Sequence, residues 1–155
     1  EAVSRSDTDA TAAALAQIVG VGIGLTPSGD DFIVGYLAAL RSRACDTPGI
    51  GTLLRELAWP LDRLSLRTNA ISRQQLIDAV RGRFGQRLCE VLHALARGKD
   101  VAVHVRQALC SGYSSGADTL CGLLFGLSPT GMTRTQLPTR RSQPWFAFNF
   151  AQTAP

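Results

Sequence analysis

The stretch Gly24-Leu25-Thr26-Pro27-Ser28-Gly29-Asp30-Asp31 sits between apolar Val19-Gly20-Val21-Gly22-Ile23 and the run Phe32-Ile33-Val34-Gly35-Tyr36-Leu37-Ala38-Ala39-Leu40. Pro27 and Gly29 punctuate the chain, the Ser28 hydroxyl is placed to cap a helix, and Asp31 stands where a capping-box acid reaches back. The spacing therefore predicts a loop feeding a helix over about 29–43. Because that helix is apolar nearly all round, it belongs at the centre of the fold.

A second copy occurs downstream in Tyr113-Ser114-Ser115-Gly116-Ala117-Asp118-Thr119-Leu120-Cys121-Gly122. Both copies read Ser-Gly-x-Asp-x-(Ile/Leu)-x-Gly. Gly35 and Gly122 each follow their Asp by one helical turn, which leaves smooth faces where two helices can touch backbone to backbone. An interior Gly costs about 1 kcal/mol relative to Ala, so close packing is the expected compensation. If the helices cross at these glycines, their polar starts lie side by side, and two distant segments build one composite site.

The other segments read as helices too. An Ala-rich helix over about 10–19 has caps available in Ser6-Asp7-Thr8-Asp9 and ends at Gly20, Gly22 and Gly24, which also offer a backbone that a phosphate could approach. The stripe Leu53, Leu54, Leu57, Ala58 and Leu61 makes a packing helix that Trp59-Pro60 is expected to kink or end. Ser72-x-x-Gln75 predicts a capping box for a helix running to about Arg81. Phe84, Leu88, Val91, Leu92 and Leu95 mark another helix, Asp100 caps the next, and the second copy opens the last over about 116–127. The expectation is an all-α, compact domain of six or seven helices over 1–127 with a pseudo-repeated loop-helix element. An irregular Pro/aromatic tail over 128–155 follows, carrying Trp145, Phe146, Phe148 and Phe150.

Of the formal charge of +4, Arg134, Arg140 and Arg141 belong to that tail, leaving 13 basic and 12 acidic groups in the remaining 127 residues. Such a balance gives no support for nucleic-acid binding. No apolar stretch reaches the roughly 20 residues of a membrane span. Cys45, Cys89, Cys110 and Cys121 lack metal-site spacing and read as reduced, buried thiols of a cytoplasmic protein. His93 reads as a packing or surface residue and His104 as exposed, so no nucleophile with its base is evident.

Two helix starts present backbone N–H groups and positive dipole ends, which favour phosphate or carboxylate. Asp30, Asp31 and Asp118 oppose a bare anion. A Mg²⁺-bound phosphate, or a ligand with an anionic end and an N–H end, satisfies both features. The candidate residues are Asp31 and Asp118 for chemistry or for holding Mg²⁺. Gly24, Thr26, Ser28, Gly29, Asp30, Thr68, Asn69, Tyr113, Ser114, Ser115 and Gly116 are candidates for binding ligand.

At Gly24–Asp31, Arg67-Thr68-Asn69-Ala70-Ile71-Ser72 and Gly112–Leu120, in this order and spacing, the chain resembles a bacterial family that includes the AllH subunit of oxamate carbamoyltransferase. The resemblance spans about residues 14–127. It implies a transferase subunit with other subunits as partners, working in allantoin-derived purine nitrogen catabolism on a small anionic metabolite. The implied reaction exchanges a carbamoyl group between oxamate and phosphate, giving oxalurate or carbamoyl phosphate. It also implies a longer chain upstream of Glu1. Tyr113 departs from the family, which commonly has His there, and Val21-Gly22-Ile23-Gly24 replaces a tighter Gly-Pro-Gly approach. Two other readings stand beside it: a non-catalytic interaction subunit whose Ser-Gly-x-Asp elements only cap helices, and a stand-alone Mg²⁺-dependent phosphate-transfer enzyme.

Overall fold

A computed structural model describes residues 5–128 as seven α-helices: α1 (Arg5–Ile18), α2 (Ser28–Arg43), α3 (Pro48–Leu64), α4 (Ala70–Val80), α5 (Gln86–Ala96), α6 (Ala102–Leu109) and α7 (Ser115–Leu127). A 3₁₀ turn, Ser65–Arg67, joins α3 to α4, and the described residues contain no strand. The all-α expectation is met. The expected tail, with Trp145, Phe146, Phe148 and Phe150, lies outside the described residues.

Helix α2 is the axis because it is apolar on two faces. One face places Ile33, Leu37 and Leu40 against Leu15 and Val19 of the α1 region, Leu53, Leu57 and Leu61 of α3, and Leu76 of α4. The other presents Ala38 and Ala39 to Leu88, Val91 and Leu92 of α5, Ala108 of α6, and Leu120 and Leu123 of α7. Small residues on that second face matter because α7 comes unusually near. A Cβ on Gly35 would lie 1.8 Å from the Thr119 carbonyl oxygen, and one on Gly122 would lie 1.9 Å from that of Phe32. The contact is reciprocal: Phe32 is four residues past Ser28, and Thr119 is four past Ser115. The two copies thus pack as an approximate two-fold pair.

Each copy also presses its first glycine onto the helix before it. A Cβ on Gly29 would meet the Ile18 carbonyl at 1.9 Å, and one on Gly116 would meet that of Ala108 at 1.9 Å. The repeat is therefore helix, loop, helix on both occasions: α1 into α2, and α6 into α7.

Several local expectations are corrected. Ser28 and Ser115 are the first helical residues rather than caps. Pro27 and Ser114 occupy the cap positions, and neither helix has a side-chain cap hydrogen bond. The Pro27 carbonyl accepts from the Asp30 and Asp31 N–H groups at 2.9 and 3.1 Å. Helix α4 is capped by Asn69, whose Oδ1 accepts from the Ile71 and Ser72 N–H groups at 3.0 and 3.1 Å. Ser72, expected as the cap, is inside the helix and fully buried, because Asn69 supplies a better-placed acceptor one turn earlier.

Helix α1 begins at Arg5, so Thr8 is not a cap; buried within the helix, it donates to Glu56 Oε2 of α3. Helix α3 runs through Pro60, since burial of Leu57 and Leu61 offsets the missing backbone hydrogen bond. The thiols are free, but Cys45, Cys110 and Cys121 are exposed and Cys89 is half-buried. Their apolar neighbours carry the helical stripes, and the thiols fall on the outward arc or in turns. His104 is half-buried with Nδ1 shielded, because α6 is short and lies along α5.

Candidate functional site

The crossing at Gly35 and Gly122 brings the starts of α2 and α7 together. The Thr26 and Ser115 hydroxyls lie 2.6 Å apart across 89 residues of sequence. Beside them is Asp31, only 5% exposed. Desolvation by burial raises its carboxyl above the ordinary value, hydrogen bonds with Ser115 and Thr26 pull it down, and the charges of Asp118 and Asp30 add to the rise. One oxygen, Asp31 Oδ2, is buried with no hydrogen-bond partner, and so is Asp118 Oδ2. A buried carboxylate oxygen without a partner is costly, so this pair marks a place where a donor or cation is wanted.

Asp31 and Ser115 open onto a cleft of about 590 Å³, which continues over α4 and the start of α5. Arg83, Gln86 and Arg87 line its far part, together with Gln75 and Asp78 of α4. Sequence reasoning missed these residues. Their spacing reads as a solvated turn and helix surface, and only the tertiary fold turns them toward Asp31.

The neighbouring acid has another task. Asp30 is 1% exposed; its Oδ1 accepts from the Gly20 N–H at 2.8 Å and its Oδ2 from the Thr68 hydroxyl. It ties the end of α1 and the α3–α4 turn to the start of α2. Asp30→Ala is therefore expected to lower stability by about 2 kcal/mol or more in urea unfolding, because it strands two donors. Ligand affinity of the variant that remains folded should be unchanged. Selective loss of affinity at unchanged stability would assign Asp30 to the ligand instead.

The other candidates divide in the same way. Thr68 and Asn69 are engaged, respectively with Asp30 and with the α4 cap. Ser28 and Gly29 begin α2, and the Gly29 N–H donates to the Val21 carbonyl at 2.9 Å. Ser115 and Gly116 line the cleft, and Ser114 holds the α7 cap position beside them. Gly24 has φ of 99° with nothing within 4 Å of a Cβ, and Tyr113 is fully exposed, so neither is packed into the cluster.

Among the described residues no group of three or more His, Cys, Asp or Glu could hold a metal ion. The available donors are two carboxylates and hydroxyls. Nor is any described helix long and apolar enough to cross a membrane.

No solved structure matches the chain. The family model described as oxamate carbamoyltransferase subunit AllH matches residues 18–127, from the end of α1 to the end of α7, and so takes in both copies and every residue lining the cleft. This protein belongs to the family of the oxamate carbamoyltransferase subunit AllH.

Proposed function

We propose that the chain is a subunit of an oxamate carbamoyltransferase-type enzyme and that it binds a phosphate- or carboxylate-bearing metabolite in the cleft where α2 and α7 begin. The observation that carries this reading is Asp31: nine-tenths buried, with one oxygen lacking a partner, and lining the cleft. A carbamoyl or amide N–H is the donor that oxygen lacks; Asp118, whose Oδ2 is likewise unpartnered, stands behind it outside the cleft lining. The Ser115 hydroxyl pairs with that of Thr26 across the helix crossing, which speaks against the second element being a helix cap alone.

Magnesium enters this reading only alongside a phosphate. Mg²⁺ commonly takes one or two carboxylates together with substrate phosphates and waters, and Asp31 with Asp118 supplies that number. The partners are the other subunits of the enzyme, in a cytoplasmic pathway of purine nitrogen breakdown.

Calorimetric titration of the full chain with carbamoyl phosphate, oxamate and oxalurate, each with and without Mg²⁺, tests the proposal. At least one should bind more than tenfold tighter than sulfate, the difference expected of about one extra charge-assisted hydrogen bond. Affinities no better than that of sulfate under every condition would sink it.

A further inference from the structure

We infer that the cleft is polarised. The start of α5, with Arg83 and Arg87, takes the ligand's anionic group, while Asp31 takes its N–H end. This rests on the cleft being the metabolite site and adds a binding pole that lies away from the repeated elements.

For a ligand that arrives without a metal, the charges oppose the alternative arrangement. Helices α2 and α7 carry Asp30, Asp31 and Asp118 in their first turns, so their positive dipole ends are already opposed by carboxylates. The α5 start is different. It has no acid in its first turn and no side-chain cap, and its cap residue Gly85 has open space within 4 Å of where a Cβ would sit. Gly85, Gln86 and Arg87 line the same cleft as Asp31. An oxyanion there meets the first N–H groups of α5 and two guanidinium groups, each balanced by one acid, Asp78 or Glu90, whereas beside Asp31 it meets a buried carboxyl with Asp30 and Asp118 adding to the repulsion.

Both arginines are held only by partners at the surface. Arg83 pairs with Asp78, and Arg87 reaches Glu90 at 3.2 Å and Gln107 at 3.3 Å, all in exposed contacts. Exposed pairs of this kind are weak, so exchanging a protein carboxylate for a ligand's costs little. Asp78, itself in the cleft, holds Arg83 in place until the ligand arrives.

The buried, unpartnered oxygen of Asp31 is what sets the other pole. It accepts but cannot donate while ionised, so it selects N–H or ammonium and rejects a second carboxylate. The ligand class is a small molecule with an oxyanion at one end and an amide or amine at the other, lying from Gly85 toward Ser115.

The test uses ¹⁵N-labelled full chain titrated with sulfate, which has no donor, and with oxamate, which has both ends. Both probes should shift the Gln86, Arg87 and Leu88 amides. Arg83→Gln with Arg87→Gln should weaken both by about tenfold or more, as loss of charge-assisted hydrogen bonds does. Asp31→Asn should weaken oxamate alone. These side chains are exposed in the arginine pair, and an unchanged spectrum of the free variant checks that it is folded. If the probes shift only the Ser28–Asp31 and Ser115–Gly116 amides and the arginine variant binds normally, the polarity is overturned while the site reading survives. If no amide around the cleft moves with either probe, both are overturned.

Discussion

Gly35→Ala is expected to destabilise the protein by about 3 kcal/mol or more, the upper range for overpacking a core. The added methyl would sit 1.8 Å from the Thr119 carbonyl oxygen and 2.8 Å from the Leu123 nitrogen. Both obstacles are α7 backbone, so no rotamer change relieves the clash and the helix itself must withdraw. Withdrawal also loosens the Gly126 contact with Ala39 and Tyr36, and the stacking of Phe125 against Phe32 and Tyr36 at 5.7 and 6.0 Å. Set against a typical total of about 5–15 kcal/mol, this removes a large share of the stability. Gly51→Ala in α3 is the matched control. A Cβ there meets nothing within 4 Å, so it should stabilise by about 0.5–1 kcal/mol through helix propensity. Urea unfolding of the two variants checks both signs, and equal midpoints would refute the close-packing account of the repeated glycines.

That crossing was legible because its cause is written locally. A glycine seven residues after a serine, twice, specifies which face of each helix is bare, and two bare faces have few ways to be covered except by one another. The polar starts then had to meet, as Thr26 and Ser115 do. Caps were less legible. Ser28, Ser72 and Ser115 all have the right chemistry, yet the chain enters its helices one or three residues before the expected point, and propensity cannot resolve such shifts.

The acids were legible as a group and not one by one. Asp30 and Asp31 are successive residues, about 100° apart around the helix. One is aimed at Gly20 and Thr68, the other at the cleft, and only the packing of α1 against α2 decides which. Arg83 and Arg87 were illegible for a related reason. A basic residue in a turn or on an outward helix face has the same local pattern whether it meets solvent or a binding site. Their place on the cleft depends on α5 lying beside α2 and α7, a long-range fact that no short-range pattern encodes.

Asp31→Asn should raise stability at neutral pH while reducing affinity for an amide-bearing ligand by about 10- to 100-fold, the range for a lost charge-assisted hydrogen bond. The stability half follows from linkage. Burial holds the Asp31 carboxyl above its ordinary value, so the folded protein binds this proton more tightly than the unfolded chain. Unfolding free energy due to this group therefore falls as pH rises from the ordinary carboxylate value through the raised one, and stays at its lowest above it. The native protein carries that penalty at neutral pH. Asparagine has no proton to lose, so the slope disappears in that window and the melting temperature above it rises, while its amide oxygen can still accept from Ser115 and Thr26. Melting curves of the two proteins across the window, paired with oxamate titration at neutral pH, read both halves at once. A variant that loses both stability and affinity would make Asp31 a structural carboxylate. One that gains stability and loses affinity shows a fold holding a strained charge in place for the ligand that completes it.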